Sequence, residues 1–323
     1  MKIILIKIGI FILNIIYFFI KLFPINKNKV TFISRQSNEV SLDFTMIAKE
    51  LKQQNENIKI VFLCKKLGTS FSEKVKYCFH MVKQMYNIAT SKVVILDSYC
   101  IPVCVLKQKK KLVVIQIWHA LGSLKKFGYS SLDKKDGRNS KLAKAMKMHR
   151  NYTYILTSSN LSKKFFKEAF NARDEQMLVM NLPRVDFLKS EKEQEKMRIR
   201  FVGVYPETNN KKQNILYCPT NRKGQKIPIE NIVKDIPLDK YNFIAKLHDG
   251  TEVIYVKGKK IEKTSNFTGM ELLHVADYII TDYSAIVYEA AITQKPIYFY
   301  TYDYEEYQIN RGTYIDYMSE MPG

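Results

Sequence analysis

The sequence predicts an α/β fold made of two Rossmann-like domains, and three observations support this prediction. Short runs rich in β-branched and aromatic residues alternate with stretches of helical spacing along most of the 323 residues. A polar, charge-dense stretch at residues 189–214 interrupts this alternation once, and strand-like runs resume after it. The 46% content of hydrophobic residues is sufficient for ordinary cores. Since alternation of strand and helix is typical of parallel sheets covered on both faces, we expect two parallel sheets that face a cleft.

The individual elements follow from local patterns. Between the first two strands, Phe44, Ile47, Ala48 and Leu51 recur at the spacing of one helix face. The predicted strands of the N-terminal half are residues 29–34, 58–64, 92–97, 112–118, 152–159 and 176–181. Those of the C-terminal half are residues 214–219, 242–248, 252–256, 277–282 and 296–301. We therefore expect a helix over residues 1–24, a first domain over 25–205 and a second over 206–323.

The N-terminal segment, residues 1–24, has the composition of a membrane anchor. It is almost entirely Ile, Leu, Phe and Tyr, and Pro24 then ends the helix. Lys7, Asn14 and Lys21 are seven residues apart, so they form one narrow stripe on a helix. About 20 apolar residues are enough to span a bilayer, but the polar stripe favours a helix that lies in the interface. We expect an uncleaved anchor on the cytoplasmic face of the cell membrane, because no small-residue cleavage site follows.

The net charge of +21 is concentrated in one region. Residues 107–150 contain thirteen Lys or Arg against two Asp. Such a field attracts anionic lipid, phosphorylated substrates or nucleic acid. Nucleic acid is the weaker candidate, since the aromatic residues are not interleaved with the lysines. A lysine-rich, merely solvated surface is the alternative explanation.

Polar clusters follow several predicted strands, which is where open α/β sheets bind ligands. His119 directly follows the fourth strand, and a neutral imidazole at the sheet edge can accept a proton from a hydroxyl. Gly122 and Ser123 follow, two small residues that leave the backbone accessible, and Lys125 and Lys126 add positive charge. A structural Trp–His pair that caps the sheet is an equally good interpretation of this cluster alone.

Three further clusters lie in the C-terminal half. Thr220 and Arg222 follow one strand, and a guanidinium suits a diphosphate through two parallel hydrogen bonds. In the next cluster, Lys246 and His248 alternate to the same side of a strand. The last comprises Thr281, Asp282 and Ser284, at the junction of a strand and a helix whose N-terminus would receive a phosphate. Alone, each has a structural explanation, namely a turn or, for Ser284, a plain helix N-cap.

Several other site types are not supported. The sequence has neither G-x-G-x-x-G nor G-x-x-x-x-G-K-[ST], so a standard dinucleotide site or P-loop is not predicted. The five cysteines show no zinc-ligand spacing, and no metal site is predicted. We interpret the cysteines as reduced thiols of a cytosolic protein.

Six stretches of the chain together resemble the CDP-glycerol glycerophosphotransferase family, the teichoic acid primases and polymerases of Gram-positive bacteria. They are "QIWHALGSLKKFG", "NLPRVDFL", "ILYCPTNR", "IAKLHDG", "LHVADYIITDYSAIVYEAAITQKPIYFYTYDYEEY" and "RGTYIDY". The resemblance spans roughly residues 90–323, and the order and spacing of the motifs make it specific.

The resemblance implies a GT-B-like architecture and a polyol-phosphate transferase. The second domain would bind CDP-glycerol or CDP-ribitol, and the first would present an undecaprenyl-diphosphate-linked acceptor, with CMP as the released product. On this basis His119 matches the catalytic base. Arg222, Lys246 and His248 match contacts to the donor pyrophosphate, with a catalytic role for His248, and Thr220, Thr281, Asp282 and Ser284 belong to the donor site. Lys125 and Lys126 are assigned to the acceptor or membrane side, and Mg²⁺ is compatible with the donor.

The chain departs from the family pattern at two motifs and at its end. Ala120, Leu121 and Gly122 follow the histidine where relatives read Gly-Thr-Pro, and Asp249 stands where relatives have proline. The chain ends at Gly323, where relatives commonly continue through further helices, and two expectations stay open: a sequence truncated at its C-terminus, or a C-terminal domain that closes differently. Two alternatives stay open: a glycosyltransferase of the same fold that uses a nucleotide sugar, and a non-catalytic protein that binds anionic polymer or membrane.

Overall fold

The computed structural model describes residues 2–68, 70–222, 227–247, 251–256, 258–264 and 266–321. The chain divides into two compact units, Met1–Leu121 with Lys126–Pro183 and Gly122–Lys125 with Arg184–Gly323. The division between Pro183 and Arg184 lies N-terminal to residue 205, where the sequence analysis places it. Arg184 forms a buried ion pair with Glu289, 2.8 Å between Nη1 and Oε1, and this ties the start of the charge-dense stretch to the second unit.

The first unit is built on a six-stranded parallel sheet with the order β2-β1-β3-β4-β5-β6. Its strands are β1 (Asn26–Ser34), β2 (Lys59–Cys64), β3 (Ser91–Leu96), β4 (Val113–Gln116), β5 (Tyr154–Thr157) and β6 (Met177–Val179). Its helices are α1 (Lys2–Ile20), α2 (Leu42–Gln54), α3 (Phe71–Thr90), α4 (Ile101–Val105), α5 (Ser140–Ala145) and α6 (Asn160–Phe170). All six predicted strands and the helix between the first two are therefore confirmed.

The core of the first unit forms because the central strands are apolar on both faces. Phe32 of β1, Val94 and Leu96 of β3 are completely buried. Continuous apolar runs of this kind are typical of parallel strands that helices cover on both sides. Helix α2 begins where the Ser41 side chain accepts a hydrogen bond from the Phe44 N–H, and it then buries Phe44 against Phe32.

The second unit has another six-stranded sheet, with the order β10-β9-β8-β7-β11-β12. Its strands are β7 (Gln213–Cys218), β8 (Tyr241–Lys246), β9 (Thr251–Val256), β10 (Lys259–Thr264), β11 (Tyr278–Thr281) and β12 (Ile297–Phe299). Its helices are α7 (Arg184–Lys189), α8 (Glu191–Val204), α9 (Ile229–Val233), α10 (Gly269–Val275), α11 (Ile286–Ile292), α12 (Tyr304–Asn310) and α13 (Tyr317–Glu320). The predicted α/β class with two parallel-rich sheets is confirmed.

One strand of this sheet, β9, runs against the expected direction. β9 pairs antiparallel with β8, and β10, which the sequence analysis does not predict, pairs antiparallel with β9. Only residues 247–250 connect β8 to β9, and only residues 257–258 connect β9 to β10. Such short connections exclude a parallel crossover, which needs a dozen or more residues, so the expectation of an entirely parallel sheet is wrong here.

The predicted N-terminal helix is present as α1, and one side of it is attached to the first unit. Tyr17 is buried and donates a hydrogen bond to Gln108, 2.7 Å between Oη and Oε1. The Lys107 backbone N–H donates to Asn14 Oδ1 at 3.2 Å. Of the apolar window Ile3–Ile20, only 6% is buried, and by length and composition this window is sufficient to cross a membrane. The other side of α1 is therefore a broad exposed apolar surface.

Gly128→Ala tests the turn that follows Phe127. Gly128 has φ +56°, and an added Cβ would lie 2.1 Å from the Ala169 carbonyl oxygen. We expect the variant to lower the melting temperature by several degrees, because neither the backbone conformation nor the space accommodates a methyl group. Thermal unfolding followed by circular dichroism measures the change.

Gly203→Ala is the matched control. Gly203 lies inside α8, and an added Cβ would meet nothing within 4 Å. Replacement of a helical glycine by alanine stabilises by about 0.5–1 kcal/mol when it causes no strain. Equal melting temperatures of the two variants would contradict the steric argument at Gly128.

Candidate functional site

In the first unit, the end of β4 holds the predicted base His119. The Ile117 N–H donates to the Leu96 carbonyl at 2.8 Å, so the chain stays hydrogen-bonded to β3 for one residue beyond the end of β4. The Gln116 side chain donates to the Ser98 carbonyl at 3.1 Å. These two bonds fix the backbone at the carboxyl end of the central strands, as the sequence analysis expects for His119.

Trp118 turns the chain at this point through a left-handed conformation. Its φ is +60°, a value that bulky residues rarely adopt and that costs about 1–3 kcal/mol. The turn is held because the Trp118 N–H donates to Gln116 Oε1 at 2.9 Å and its ring stacks on Phe127, 5.0 Å between centroids. The Trp118 and His119 rings lie 4.1 Å apart. The Trp–His pair is thus a structural element, and it also presents His119, whose side chain is exposed.

A backbone carbonyl orients the imidazole of His119. Nδ1 lies 2.9 Å from the Asp97 carbonyl oxygen and 3.2 Å from the Gln36 side-chain nitrogen. A carbonyl oxygen can only accept, so the shorter contact assigns the proton to Nδ1 and the lone pair to Nε2. The Gln36 contact is then not a hydrogen bond, because an amide nitrogen and a protonated Nδ1 are both donors. This tautomer is the one that a general base needs when Nε2 is the reacting atom.

Asp97, at the end of β3, is a candidate that the sequence analysis misses. Its carboxyl group is buried, and Oδ1 has no hydrogen-bond partner among the described residues. Burial raises the pKa of Asp97 to about 6, although hydrogen bonds with Ser34 and Ser98 oppose the shift. A buried carboxyl group that titrates near neutral pH beside an exposed histidine is typical of functional sites. Its position after the strand "VVIL" was the available signal.

The four residues Gly122–Lys125 belong to the second unit, although they follow His119 closely in the chain. An added Cβ on Gly122 would lie 2.7 Å from the Tyr288 ring, so only glycine allows this approach. Leu124 is buried in a cluster with Tyr283, Val287, Tyr307 and Tyr317. The cluster that begins at His119 and includes Gly122, Ser123 and Lys125, treated as one in the sequence analysis, is therefore divided between the two units.

Lys125 accordingly lies in the second unit and Lys126 in the first. Lys125 pairs with Thr313 in an isolated antiparallel bridge, and its side chain is half-buried. Burial lowers the pKa of Lys125 to about 8, and repulsion from Arg311 adds to this effect while Asp282 opposes it. The electrostatic influence of Asp282 on Lys125 indicates that this lysine lies near the predicted donor cluster.

The predicted donor residues Thr220, Arg222 and Asp282 contact one another directly. The Thr220 N–H donates to both carboxylate oxygens of Asp282, at 2.8 and 3.1 Å, and Arg222 Nη1 donates to Asp282 Oδ2 at 2.6 Å. Asp282 is completely buried. The strand ends of β7 and β11 are thus joined by a buried ion pair, and neither strand end is an ordinary turn.

A second carboxylate, Asp303, completes this network and is not among the residues predicted. Arg222 donates from Nε to Asp303 Oδ2 at 2.6 Å and from Nη2 to Oδ1 at 2.8 Å. Another bond from Nη1 reaches the Thr220 carbonyl at 2.8 Å, and the side chain is only 5% exposed. Desolvation lowers the pKa of Arg222, but the bonds and charges of Asp303 and Asp282 outweigh it, so the net shift is upward. Four of the five N–H donors of this guanidinium are therefore occupied.

The remaining predicted residues occupy distinct positions. Lys246 Nζ lies 3.7 Å from Glu252 Oε1, and Glu252 also accepts from the Tyr205 hydroxyl. The Thr281 hydroxyl donates to the Cys218 carbonyl at 2.8 Å and links β11 to β7. His248 lies outside the described residues.

α11 begins at Ile286, two residues after Ser284, with Ala285 in helical conformation between them. The Ser284 hydroxyl accepts a hydrogen bond from the Ile286 N–H at 3.5 Å, so Ser284 caps the first turn of this helix, as the structural alternative expects. The chain needs two more residues to turn from the strand into the helix.

Comparison with known proteins gives a family match over nearly the whole chain. The family described as CDP-glycerol:poly(glycerophosphate) glycerophosphotransferase matches residues 15–323. The teichoic acid ribitol-phosphate primase of Bacillus spizizenii (strain W23) is 30% identical, over 94% of this chain and 80% of the relative. The teichoic acid glycerol-phosphate primase of Bacillus subtilis (strain 168) is 32% identical, over 76% of this chain and 64% of the relative.

The solved structures that resemble this chain include the wall teichoic acid polymerase TagF. The two align with a TM-score of 0.70 at 18% identity, over 100% of this chain and 84% of the other. At this level of identity the likeness concerns the fold, and it confirms the predicted GT-B-like architecture.

Arg222→Met tests whether the ion pair holds the strand ends together. Removal of the guanidinium would leave the buried Asp282 carboxylate without its partner Arg222. Asp303 would lose the two hydrogen bonds that Arg222 donates to it. We expect the free energy of unfolding to fall by about 3–5 kcal/mol, as for other buried ion pairs that lose one partner. Urea denaturation followed by circular dichroism measures this loss.

Lys260→Met removes the same charge from an exposed pair with Glu262 on β10 of the same unit. We expect no measurable change in its urea midpoint, because exposed pairs contribute little. An Arg222→Met midpoint equal to that of this control would contradict the assigned role of the guanidinium.

Proposed function

The chain belongs to the CDP-glycerol:poly(glycerophosphate) glycerophosphotransferase family, and we propose that it transfers a polyol phosphate from a CDP-polyol to a lipid-linked acceptor. The polyol is glycerol or ribitol, the second product is CMP, and the transfer serves the synthesis of teichoic acid or a related cell-surface polymer. The observation that carries this proposal is the family match over residues 15–323, joined by a primase relative that aligns with 94% of the chain.

In the proposed reaction, a hydroxyl oxygen of the acceptor attacks the β-phosphorus of the CDP-polyol. The bond from that phosphorus to the bridging oxygen breaks, CMP leaves with its electron pair, and a phosphodiester forms. His119 Nε2 takes the hydroxyl proton. The Nδ1–H bond to the Asp97 carbonyl supports this role, because it holds the lone pair on Nε2 and stabilises the imidazolium that forms.

The second unit is proposed to hold the donor. Lys246, Lys125 and His248 would stabilise charge on the diphosphate as CMP leaves, mainly through preorganised electrostatics. Arg222 is proposed to position the Thr220 and Asp282 loops, because two carboxylates and a carbonyl already occupy most of its donors. Thr281 ends β11 next to Asp282, and Ser284 lies in the loop that follows. The covalent chain itself links the proposed base to the donor unit, since only Ala120 and Leu121 separate His119 from Gly122.

The acceptor and membrane side is proposed to lie on the first unit. The exposed apolar side of α1 and the basic stretch of residues 107–150, which includes Lys126, support a peripheral position on the cytoplasmic face of the membrane. Tyr17 and Asn14 fasten α1 along the unit, which favours a helix that lies in the interface over one that spans the bilayer.

A dedicated metal cage is not part of this proposal. Within the part of the chain that the structure describes, no group of three His, Cys, Asp or Glu side chains is arranged to hold a metal ion. Mg²⁺ is proposed to arrive with the donor, bound to its diphosphate.

The reaction is tested by incubating the protein separately with CDP-glycerol and CDP-ribitol, each with a lipid-linked acceptor, and measuring the released CMP. We expect CMP to form with one of the two donors and only when the acceptor is present. Release of a nucleoside diphosphate from a nucleotide sugar would indicate a glycosyltransferase instead. Tight acceptor binding without turnover of either donor would indicate a non-catalytic binder, and both results would overturn the proposal.

His119→Ala tests the base. We expect turnover to fall by about 10²- to 10⁴-fold, the usual contribution of a positioned general base, while the affinity for the CDP-polyol stays nearly unchanged. CMP release gives the first quantity, and calorimetric titration with the donor gives the second.

The control is His80→Ala, which removes a half-buried histidine from α3 of the same unit. Its turnover should match that of the parent protein. Comparable turnover in His119→Ala would end the assignment of His119 as base.

A further inference from the structure

A cavity of about 570 Å³ lies beside α1 in the first unit, and lysines line it from both sides. Lys7 and Lys21 belong to the polar stripe of α1 or follow its end, whereas Lys107 and Lys147 come from the body of the unit. Apolar side chains of α1, among them Phe11 and Phe18, complete the lining. The volume is within the usual range of small-molecule sites, about 300–1,000 Å³.

The charge of this cavity is of one sign. No carboxylate lines it, and within the described residues none of its four ammonium groups forms an ion pair with an acidic side chain. Lys147 donates one hydrogen bond to the Val105 carbonyl at 3.3 Å, which leaves two of its three N–H donors for a ligand. Four ammonium groups around one cavity attract a negatively charged group, so the chemistry points to an anionic ligand.

The apolar part of the lining shows which kind of anion fits. Phe11 and Phe18 are 66% and 60% exposed, so they present hydrocarbon surface beside the lysines. On a helix with 100° per residue, Lys7, Asn14 and Lys21 lie between the side that contains buried Tyr17 and the side that contains Phe11 and Phe18. The cations therefore lie along the border of the exposed apolar surface. In a helix at a membrane interface, this border is level with the lipid headgroups.

We propose that this cavity, lined by Lys7, Lys21, Lys107 and Lys147, binds the phosphodiester headgroup of an anionic membrane lipid. The acyl chains of the lipid continue along the exposed side of α1. This inference rests on the membrane association proposed above, but it requires neither the donor nor the transfer reaction. The free phosphate of a soluble metabolite is the less suitable ligand, since it would leave the adjoining phenylalanines in water.

The test compares the double variant Lys107→Gln/Lys147→Gln with the parent protein in vesicle cosedimentation. Both substitutions lie on the body side of the cavity, so the apolar surface of α1 is unchanged. Vesicles of phosphatidylcholine alone are compared with vesicles that also contain phosphatidylglycerol, at about 0.1 M salt, where charges more than about 10 Å apart are screened. We expect the variant to bind phosphatidylglycerol vesicles about 10- to 30-fold more weakly and phosphatidylcholine vesicles as well as the parent does.

The matched control is Lys134→Gln/Lys135→Gln, which removes two exposed lysines of the same basic stretch that do not line the cavity. Its affinity for phosphatidylglycerol vesicles should fall by no more than about threefold, because a diffuse electrostatic field at the surface depends little on two particular charges. Equal losses in the two double variants would overturn the proposed site. The single variant Lys107→Gln is tested as well. Weaker binding of this variant to phosphatidylglycerol vesicles, with an unchanged melting temperature, excludes a folding defect as the cause of the lost binding.

Two further experiments distinguish failure of the proposed headgroup site from failure of the proposed membrane association, and a lipid ligand from a soluble one. Failure of the parent protein to bind either kind of vesicle would refute the membrane association itself, and the headgroup site with it. Calorimetric titration with glycerol phosphate in the absence of lipid should show no binding to the parent protein. Saturable binding that the Lys107→Gln/Lys147→Gln variant loses would assign the cavity to a soluble phosphate and overturn the lipid assignment.

Discussion

The second unit depends on one buried guanidinium that lies between two carboxylates. Arg222 bonds Asp282 at the end of β11 and Asp303 beyond β12, and it also returns to the Thr220 carbonyl after β7. The Arg222 guanidinium carbon lies 5.0 Å from the ring centroid of Tyr302 and 5.7 Å from that of Tyr283. A charge this deeply buried is tolerated only when its partners and geometry compensate the lost hydration. Since the three partners come from separate loops, the same interaction that satisfies the charge also fixes the shape of the sheet edge.

The first unit achieves comparable precision at His119 with neutral groups. The strained Trp118, whose N–H donates to the Gln116 side chain, places the ring at the strand end, and the Asp97 carbonyl orients it. A carbonyl partner selects the tautomer without placing a charge beside Nδ1, and the buried Asp97 carboxyl group nearby titrates close to neutral pH because of its burial. Strain at one residue and a carboxyl group with a raised pKa are typical of a site that is built for chemistry and not only for stability.

The chain combines this chemistry with a helix that has two different sides. α1 is attached to the first unit through Tyr17 and Asn14, while nine of its large apolar side chains are exposed. An apolar surface exposed to water does not stabilise a soluble protein. Transfer of this surface from water into a lipid interface is favourable by about 25 cal/mol of free energy per Å² of apolar area. Lysines lie along the border of this surface. His119 and the exposed apolar helix thus belong to the same unit of the fold.

The sequence by itself determined the α/β class, eleven of the twelve strands found among the described residues, the apolar helix and the family, because these depend on local periodicity and on motif spacing. It also placed His119, Thr220, Arg222 and Asp282 at strand ends, since parallel strands present their carboxyl ends at one edge. Only the tertiary structure decided the direction of β9, the partition of Gly122–Lys125 into the second unit, and the pairing of Arg222 with Asp303. The last two features depend on contacts between residues far apart in the chain, 81 positions for Arg222 and Asp303 and more for Lys125 and Thr313, and such contacts leave no periodic trace in a single sequence.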